Sequence, residues 1–199
     1  MSKIENNKKY KRDSLLDSAF TLFIQKGINK TSIQDIAAKS GVAKGTFYLY
    51  FKDKYDLRNI LIAHKASQLF QAADIAMHKA GITDTIEQML FIVDHIIDDL
   101  AQDKKLLLFI SKNLSWGIFK STLINSSNTE NLDFYDIYTQ LLNQDQYDFI
   151  DPEIMLFMIT ELVSSTCYSS ILYNEPVKIE DLKPYLYDAV RNIIDRHIA

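Results

Sequence analysis

The sequence predicts an all-α fold: a three-helix head over residues 1–60 and a larger helical body over residues 61–199, about nine helices in all. Three observations carry this. Apolar residues recur at three- and four-residue spacing along most of the chain. Gly (5) and Pro (3) are too scarce for the frequent turns of an all-β fold. A capping-box pattern and then a tight glycine turn join two short helical segments near residue 40, the skeleton of a helix-turn-helix. With 47% hydrophobic residues the chain can bury a sizeable core.

Residues 1–12 are polar and basic (Lys3, Lys8, Lys9, Lys11, Arg12). They read either as a frayed, solvated tail or as a basic arm able to touch a DNA backbone. From Asp13 the pattern becomes helical, with Leu15, Leu16, Ala19, Phe20 and Phe23 on one stripe and Gly27 as its stop. Thr31 and Gln34 form the capping box of a second helix that buries Ile33, Ile36 and Ala37 and ends at Gly41. A third helix covers about Ala43 to Tyr50, and Asp53 caps a longer fourth through Leu57, Ile60 and Leu61. In the body, helices are expected over Thr83–Gln102, Lys104–Ile124, Asp151–Tyr173 (with Pro152 at its first turn) and Ile179–His197. Breaks are expected at Gly81, Ser126–Asn128 and Asn174–Pro176.

The overall charge of −4 hides an asymmetry. Residues 1–60 hold twelve Lys and Arg against six Asp and Glu, a net +6; the remainder holds ten against twenty, a net −10. A basic head can sit on phosphates while an acidic body stays away from them. In the third helix each residue advances about 100°, so Phe47 and Phe51 turn inward while Gly45 and Leu49 face out between Thr46 and Tyr50. An exposed Gly and Leu beside Lys44 fit a major groove. Gly45 admits close approach, Lys44 can donate to guanine, Thr46 can bond a base or a phosphate, and Leu49 can pack on a thymine methyl. Tyr48 and Tyr50 read as phosphate donors or as core residues with wet hydroxyls. Lys54, Thr31 and Ser32 lie at helix N-termini, where phosphates bind readily.

The run Thr31-Ser32, Ile36-Ala37, Gly41-Val42, Lys44-Gly45-Thr46-Phe47-Tyr48, Tyr50-Phe51, Lys54 and Leu57 closely resembles the N-terminal signature of the TetR family of bacterial regulators. The resemblance covers about residues 10–60. It implies that Lys44, Gly45 and Thr46 read bases while Thr31, Tyr48, Tyr50 and Lys54 hold the backbone. It also implies a homodimer on a double-stranded, roughly palindromic operator, a repressor's role, and an effector cavity in the body. Control by a protein partner instead of a small molecule is the alternative. The last two helices would form the dimer, with Phe157, Leu162, Leu182, Leu186, Val190 and Ile194 as interface residues. Met89, Phe109, Trp116, Phe119, Phe134, Tyr138 and Tyr168 are candidate walls for an apolar effector pocket.

Nothing points to catalysis. His64, His78, His95 and His197 lack metal-site spacing, and His95–Asp99 reads as a solvated helix face. No nucleophile elbow or phosphate-binding glycine loop occurs, so no enzyme activity, metal or cofactor is expected. The single cysteine, Cys167, allows no intrachain disulfide and reads as a small buried residue. There is no secretion signal and no run of ~20 uninterrupted apolar residues. A cytoplasmic protein without membrane association is expected.

Overall fold

Helix α1 spans Lys3–Lys26 in the computed structural model, which describes residues 3–113, 134–144 and 146–199. It starts well before Asp13, so the basic segment is helical from Lys3 and the frayed-tail reading is corrected. Extending an existing helix adds one hydrogen bond per residue without a new nucleus, and no Gly or Pro interrupts these residues. Gly27 stops α1 at φ +78°, and its N–H returns to the Phe23 carbonyl at 3.0 Å.

Helix α2 (Ile33–Lys39) is capped one residue later than expected. Ser32 is the N-cap: its hydroxyl accepts from the Asp35 N–H at 3.1 Å, and the Asp35 carboxylate accepts from the Ser32 N–H at 2.9 Å. Thr31 instead is buried, its hydroxyl donating to the Gly27 carbonyl at 2.8 Å. The frame shifts because Asp35 is an ion and also receives the Lys26 ammonium at 2.8 Å, which Gln34 cannot match. The Lys26 ammonium, then the Ser32 N–H and hydroxyl, hold the Asp35 carboxyl down at about 2.

Helix α3 is a single turn, Lys44–Phe47. Beyond it the N–H groups of Leu49 and Tyr50 bond to the carbonyls of Thr46 and Phe47, three residues back, and so tighten the backbone. Gly45, Thr46 and the aromatic run that follows are weak helix formers, and so the predicted helix to Tyr50 is cut short. Asp53 caps α4 (Lys54–Ala80) as expected, accepting from the Tyr55 and Asp56 N–H groups at 2.8 and 2.9 Å. These bonds, that from Asp56 first, hold its carboxyl below the usual range.

The chain forms two compact units, residues 1–64 and 65–199, divided within α4. In the first, α1 packs on α2 and α2 on α3 around Leu15, Leu16, Ala19, Ile36, Phe47, Phe51 and Leu57. The second contains the rest of α4, α5 (Thr85–Gln102), α6 (Lys104–Asn113), α7 (Phe134–Leu142), α8 (Pro152–Tyr173) and α9 (Ile179–Arg196). All nine described helices are α-helices, and no strand occurs among the described residues. The predicted helix beyond Asn113 and the break at Ser126–Asn128 lie outside the described residues.

In the body, α5, α8 and α9 share a core of Ile86, Ile97, Met155, Ile159, Ile171, Leu186, Val190 and Ile194. A smaller cluster joins Ala73 and Met77 of α4 to Ile92 of α5 and to Ile137 and Leu141 of α7. An amide network seats the segment after α7 on the start of α5. The Gln146 side-chain oxygen accepts from the buried Thr85 N–H at 2.9 Å, and the Gln144 side-chain amide donates to the Gln88 side-chain Oε1 at 2.8 Å. A clasp ties α9 to α5: the Lys183 ammonium donates to Asp94 at 2.6 Å and to Asp98, Tyr187 donates to Asp94, and Arg191 donates to Glu87. Burial pulls the Lys183 pKa down, but the two carboxylates outweigh it and raise it above the ordinary lysine value.

Helix α8 is apolar on several faces and, by length and composition, is the one described helix able to cross a membrane. Here it packs on α5, α6 and α9 and keeps hydroxyls along its length. Cys167 lies buried on it, and desolvation pushes its thiol up to about 11, so it stays a protonated packing residue.

Candidate nucleic-acid interface and body cavity

Two aromatic anchors orient α3. Phe47 and Phe51 are buried, their ring centroids 5.5 Å apart, and Phe47 meets the Tyr48 ring edge-on at 5.4 Å. With that side fixed inward, Lys44, Gly45, Tyr48 and Leu49 are exposed, Leu49 at 79%. Thr46 and Tyr50 are half-buried at the edges of this surface. The preceding turn is set by Gly41 at φ +70° and by the Val42 N–H, which bonds the Ala37 carbonyl at 3.0 Å. A methyl group added to Gly45 would meet nothing within 4 Å. The head's own packing therefore gives no reason for a glycine there, although Gly in a helix costs about 1 kcal/mol against Ala. An exposed Leu and a bare backbone beside a lysine form a surface able to approach base edges.

Two residues assigned to the DNA backbone are placed otherwise. The Lys54 ammonium donates to the carbonyls of Ile28, Asn29 and Thr31 at 3.0, 3.3 and 3.2 Å. It closes the turn between α1 and α2 by serving three carbonyls of the turn itself. Thr31 spends its hydroxyl on Gly27. Ser32 is exposed, but its hydroxyl serves as the α2 cap.

The expected interface residues also divide. Leu186, Val190 and Ile194 are buried within the body core, because α9 turns its apolar stripe onto α5 and α8. Leu162 and Leu182 are half-buried against the same core. Phe157 is exposed, and with Ile154, Met158, Glu161 and Ser165 it lies on one outward stripe of α8. The surplus of apolar residues on α8 was the available signal for this stripe.

Within the body lies a cavity of about 160 Å³ bounded by α4, α5, α6, α7, α8 and α9. Its described walls are aliphatic and aromatic, including Leu69, Phe70, Ile92, Ile96, Leu141 and Ile159, with the hydroxyl residues Thr160 and Ser164 as the polar points. No charged side chain lines it among the described residues. Of the expected wall residues Met89 is on it, whereas Phe109 is buried and Tyr168 half-buried elsewhere in the core. Trp116 and Phe119 lie outside the described residues, as do the side chains of Phe134 and Tyr138. The aliphatic walls escaped sequence reading because a lining Ile and a core Ile have the same spacing.

Residues 15–59 match the family profile described as bacterial regulatory proteins, tetR family. The Transposon Tn10 TetC protein of Escherichia coli is 32% identical over 108 residues, covering 54% of this chain and 53% of that protein. The chain spans about half the length, or less, of the first curated relatives it matches. Among solved structures, the fatty acid degradation regulator FadR of Bacillus halodurans superposes with a TM-score of 0.64 at 21% identity, over 94% of this chain and 97% of that one. The transcriptional regulator FadR of Bacillus subtilis, solved in complex with stearoyl-CoA, gives 0.64 at 18% identity over 91% and 98%. These last two likenesses concern the fold. The head match, the curated relatives and the all-helical body support one likeness: residues 15–59 match the tetR family of bacterial regulatory proteins, and the described helices follow the fold of the regulators above.

Proposed function

We propose that this chain is a DNA-binding transcription regulator, a homodimeric, cytoplasmic repressor that leaves its operator when an apolar small molecule enters the body cavity. The observation that carries it is the exposed surface of Lys44, Gly45, Tyr48 and Leu49 on an α3 locked from behind by Phe47 and Phe51. Lys44 and Leu49 read base edges, Gly45 admits the backbone to the groove, and Tyr48 and Tyr50 donate to phosphates. Lys54 and Thr31 act indirectly, by holding the turn that precedes α2. The α8 stripe of Ile154, Phe157 and Met158 meets its two-fold mate, since an apolar row on a soluble chain calls for a partner.

The cavity supports the effector reading. Its volume resembles that of a dry apolar cavity of roughly 150 Å³ able to take a benzene-sized guest, and lies below the roughly 300–1,000 Å³ of drug-sized sites. The buried part of the effector is therefore a short hydrocarbon portion, with one oxygen near Thr160 or Ser164. The stearoyl-CoA bound by the Bacillus subtilis regulator is one molecule with such a portion.

Selection of binders from a random duplex library tests the proposal. An inverted repeat with half-sites about one helical turn apart is expected. Failure to enrich any sequence at moderate salt would sink it.

A further inference from the structure

The stripe of α1 that packs on α2 changes character toward the amino terminus. Leu15, Leu16 and Ala19 are buried on it. Three, four and seven residues earlier, the same stripe carries Lys8, Lys11 and Arg12. Lys11 and Arg12, next to the packed turns, are half-buried; Lys8 and Lys9, the latter seven residues before Leu16 and bordering the same stripe, are exposed, as is Tyr10 on the opposite side. The Ser14 hydroxyl donates to the Ser40 carbonyl at 3.3 Å, so α1 passes the end of α2 there, just before the turn into α3. Residues 3–13 then run on for about 15 Å at 1.5 Å per residue. Their basic stripe continues the side that faces α2, at the end of the head where Lys39 and Lys44 are also exposed.

Like charges three and four residues apart on a helix face repel each other, as Lys8 does with Lys11 and Arg12. The Asp13 carboxylate lies 4.0 Å from Arg12, in a solvent-exposed pair that contributes little. Glu5 adds one negative charge to the segment. A basic face placed against helix stability, beside the proposed reading surface, fits a polyanion running past the head.

We propose that Lys8, Lys11 and Arg12 form a sequence-blind arm that grips the phosphate backbone of duplex DNA beside the groove read by α3. The proposal rests on the DNA-binding reading above, and its consequences are separable from it. The arm lends affinity and salt dependence, while discrimination among sequences stays with α3.

The test compares the full chain with a K8Q/K11Q/R12Q triple variant on the selected duplex and on a scrambled one, across a potassium chloride series. The slope of log K against log salt should become shallower by about 0.9 for each phosphate that the arm no longer neutralises. Affinity should fall by the same factor on both duplexes and leave their ratio unchanged. A K8R/K11R/R12K variant should keep the wild-type slope. Both variants should stay folded, the charge-conserving one melting with the parent and the triple variant at or slightly above it, since these side chains lie outside the buried core and their mutual repulsion is relieved. A triple variant with the wild-type slope, or one that loses the affinity ratio while keeping the slope, overturns the arm. If the parent prefers neither duplex yet its salt-dependent binding still collapses in the triple variant, the base-reading role of α3 fails and the arm stands.

Discussion

Gly45 sets stability against function at a single atom. Open space surrounds its missing Cβ, so Gly45→Ala relieves the helix cost without a clash. The head should gain about 0.5–1 kcal/mol, seen as a higher Tm, while operator affinity falls because the added methyl stands toward the groove. A variant that is more stable and binds as well as the parent would remove Gly45 from the interface. Lys54 behaves in the opposite way. Its ammonium serves three carbonyls, so Lys54→Met should cost roughly 1.5–3 kcal/mol of stability. The salt slope of DNA binding should stay that of the parent; a slope shallower by one phosphate would restore the direct role inferred from sequence. Asp35 gives the head an acid limit. Its folded pKa, about 2, is depressed below the ordinary 3.8. Its contribution is present above about pH 4 and is lost as pH falls through about 2. Asp35→Asn should flatten acid unfolding in that window, and Asp35 carboxyl titration by NMR reads the pKa itself.

At the scale of elements, the α5–α9 clasp is the feature most exposed to test. Lys183 is largely covered and holds both Asp94 and Asp98. Lys183→Met leaves two carboxylates facing each other and should destabilise the body by about 1–3 kcal/mol, with the loss confined to amide exchange in α5 and α9. Unchanged exchange there would make the clasp ornamental. Such links across 85 or more residues are invisible to local pattern, since they depend on tertiary register. Helices with strong period and clear stops were legible: Gly27, Gly41, Asp53 and Pro152 each ended or began an element where the sequence places it. The shift from Thr31 to Ser32 and the shortening of α3 were not. Both turn on competition among neighbours for the same N–H groups, and at Ser32 an ion pair from Lys26 decides the outcome.

At the scale of the molecule, period alone does not say which of two apolar helices turns its stripe into the core and which leaves an apolar row outward. Leu186, Val190 and Ile194 have the spacing of an interface and prove to be core, whereas Ile154 and Met158 stand outward. An Ile154→Glu/Met158→Glu variant should therefore sediment as a folded monomer, while Val190→Glu should unfold the body by burying an unpaired charge. A double variant that stays dimeric would place the interface elsewhere. For the cavity, a medium-chain fatty alcohol should raise the Tm of the parent, by an amount equivalent to about 2.7 kcal/mol at a hundred times its Kd. Val163→Phe, which fills the same space, should abolish the rise. The same alcohol should weaken DNA binding, because a ligand shifts only the states it binds unequally.

The decisive experiment is the affinity of the parent and of Lys44→Ala for the selected duplex over a scrambled duplex at one fixed salt concentration. Reading of bases by α3 predicts a parent preference of several-hundred-fold or more, on the order of 10³. Lys44→Ala should cut it by about tenfold or more, for the roughly 1–3 kcal/mol of a base contact, with Tm and dimer unchanged. Equal preference in both proteins would contradict the assignment of α3 as the surface that reads DNA.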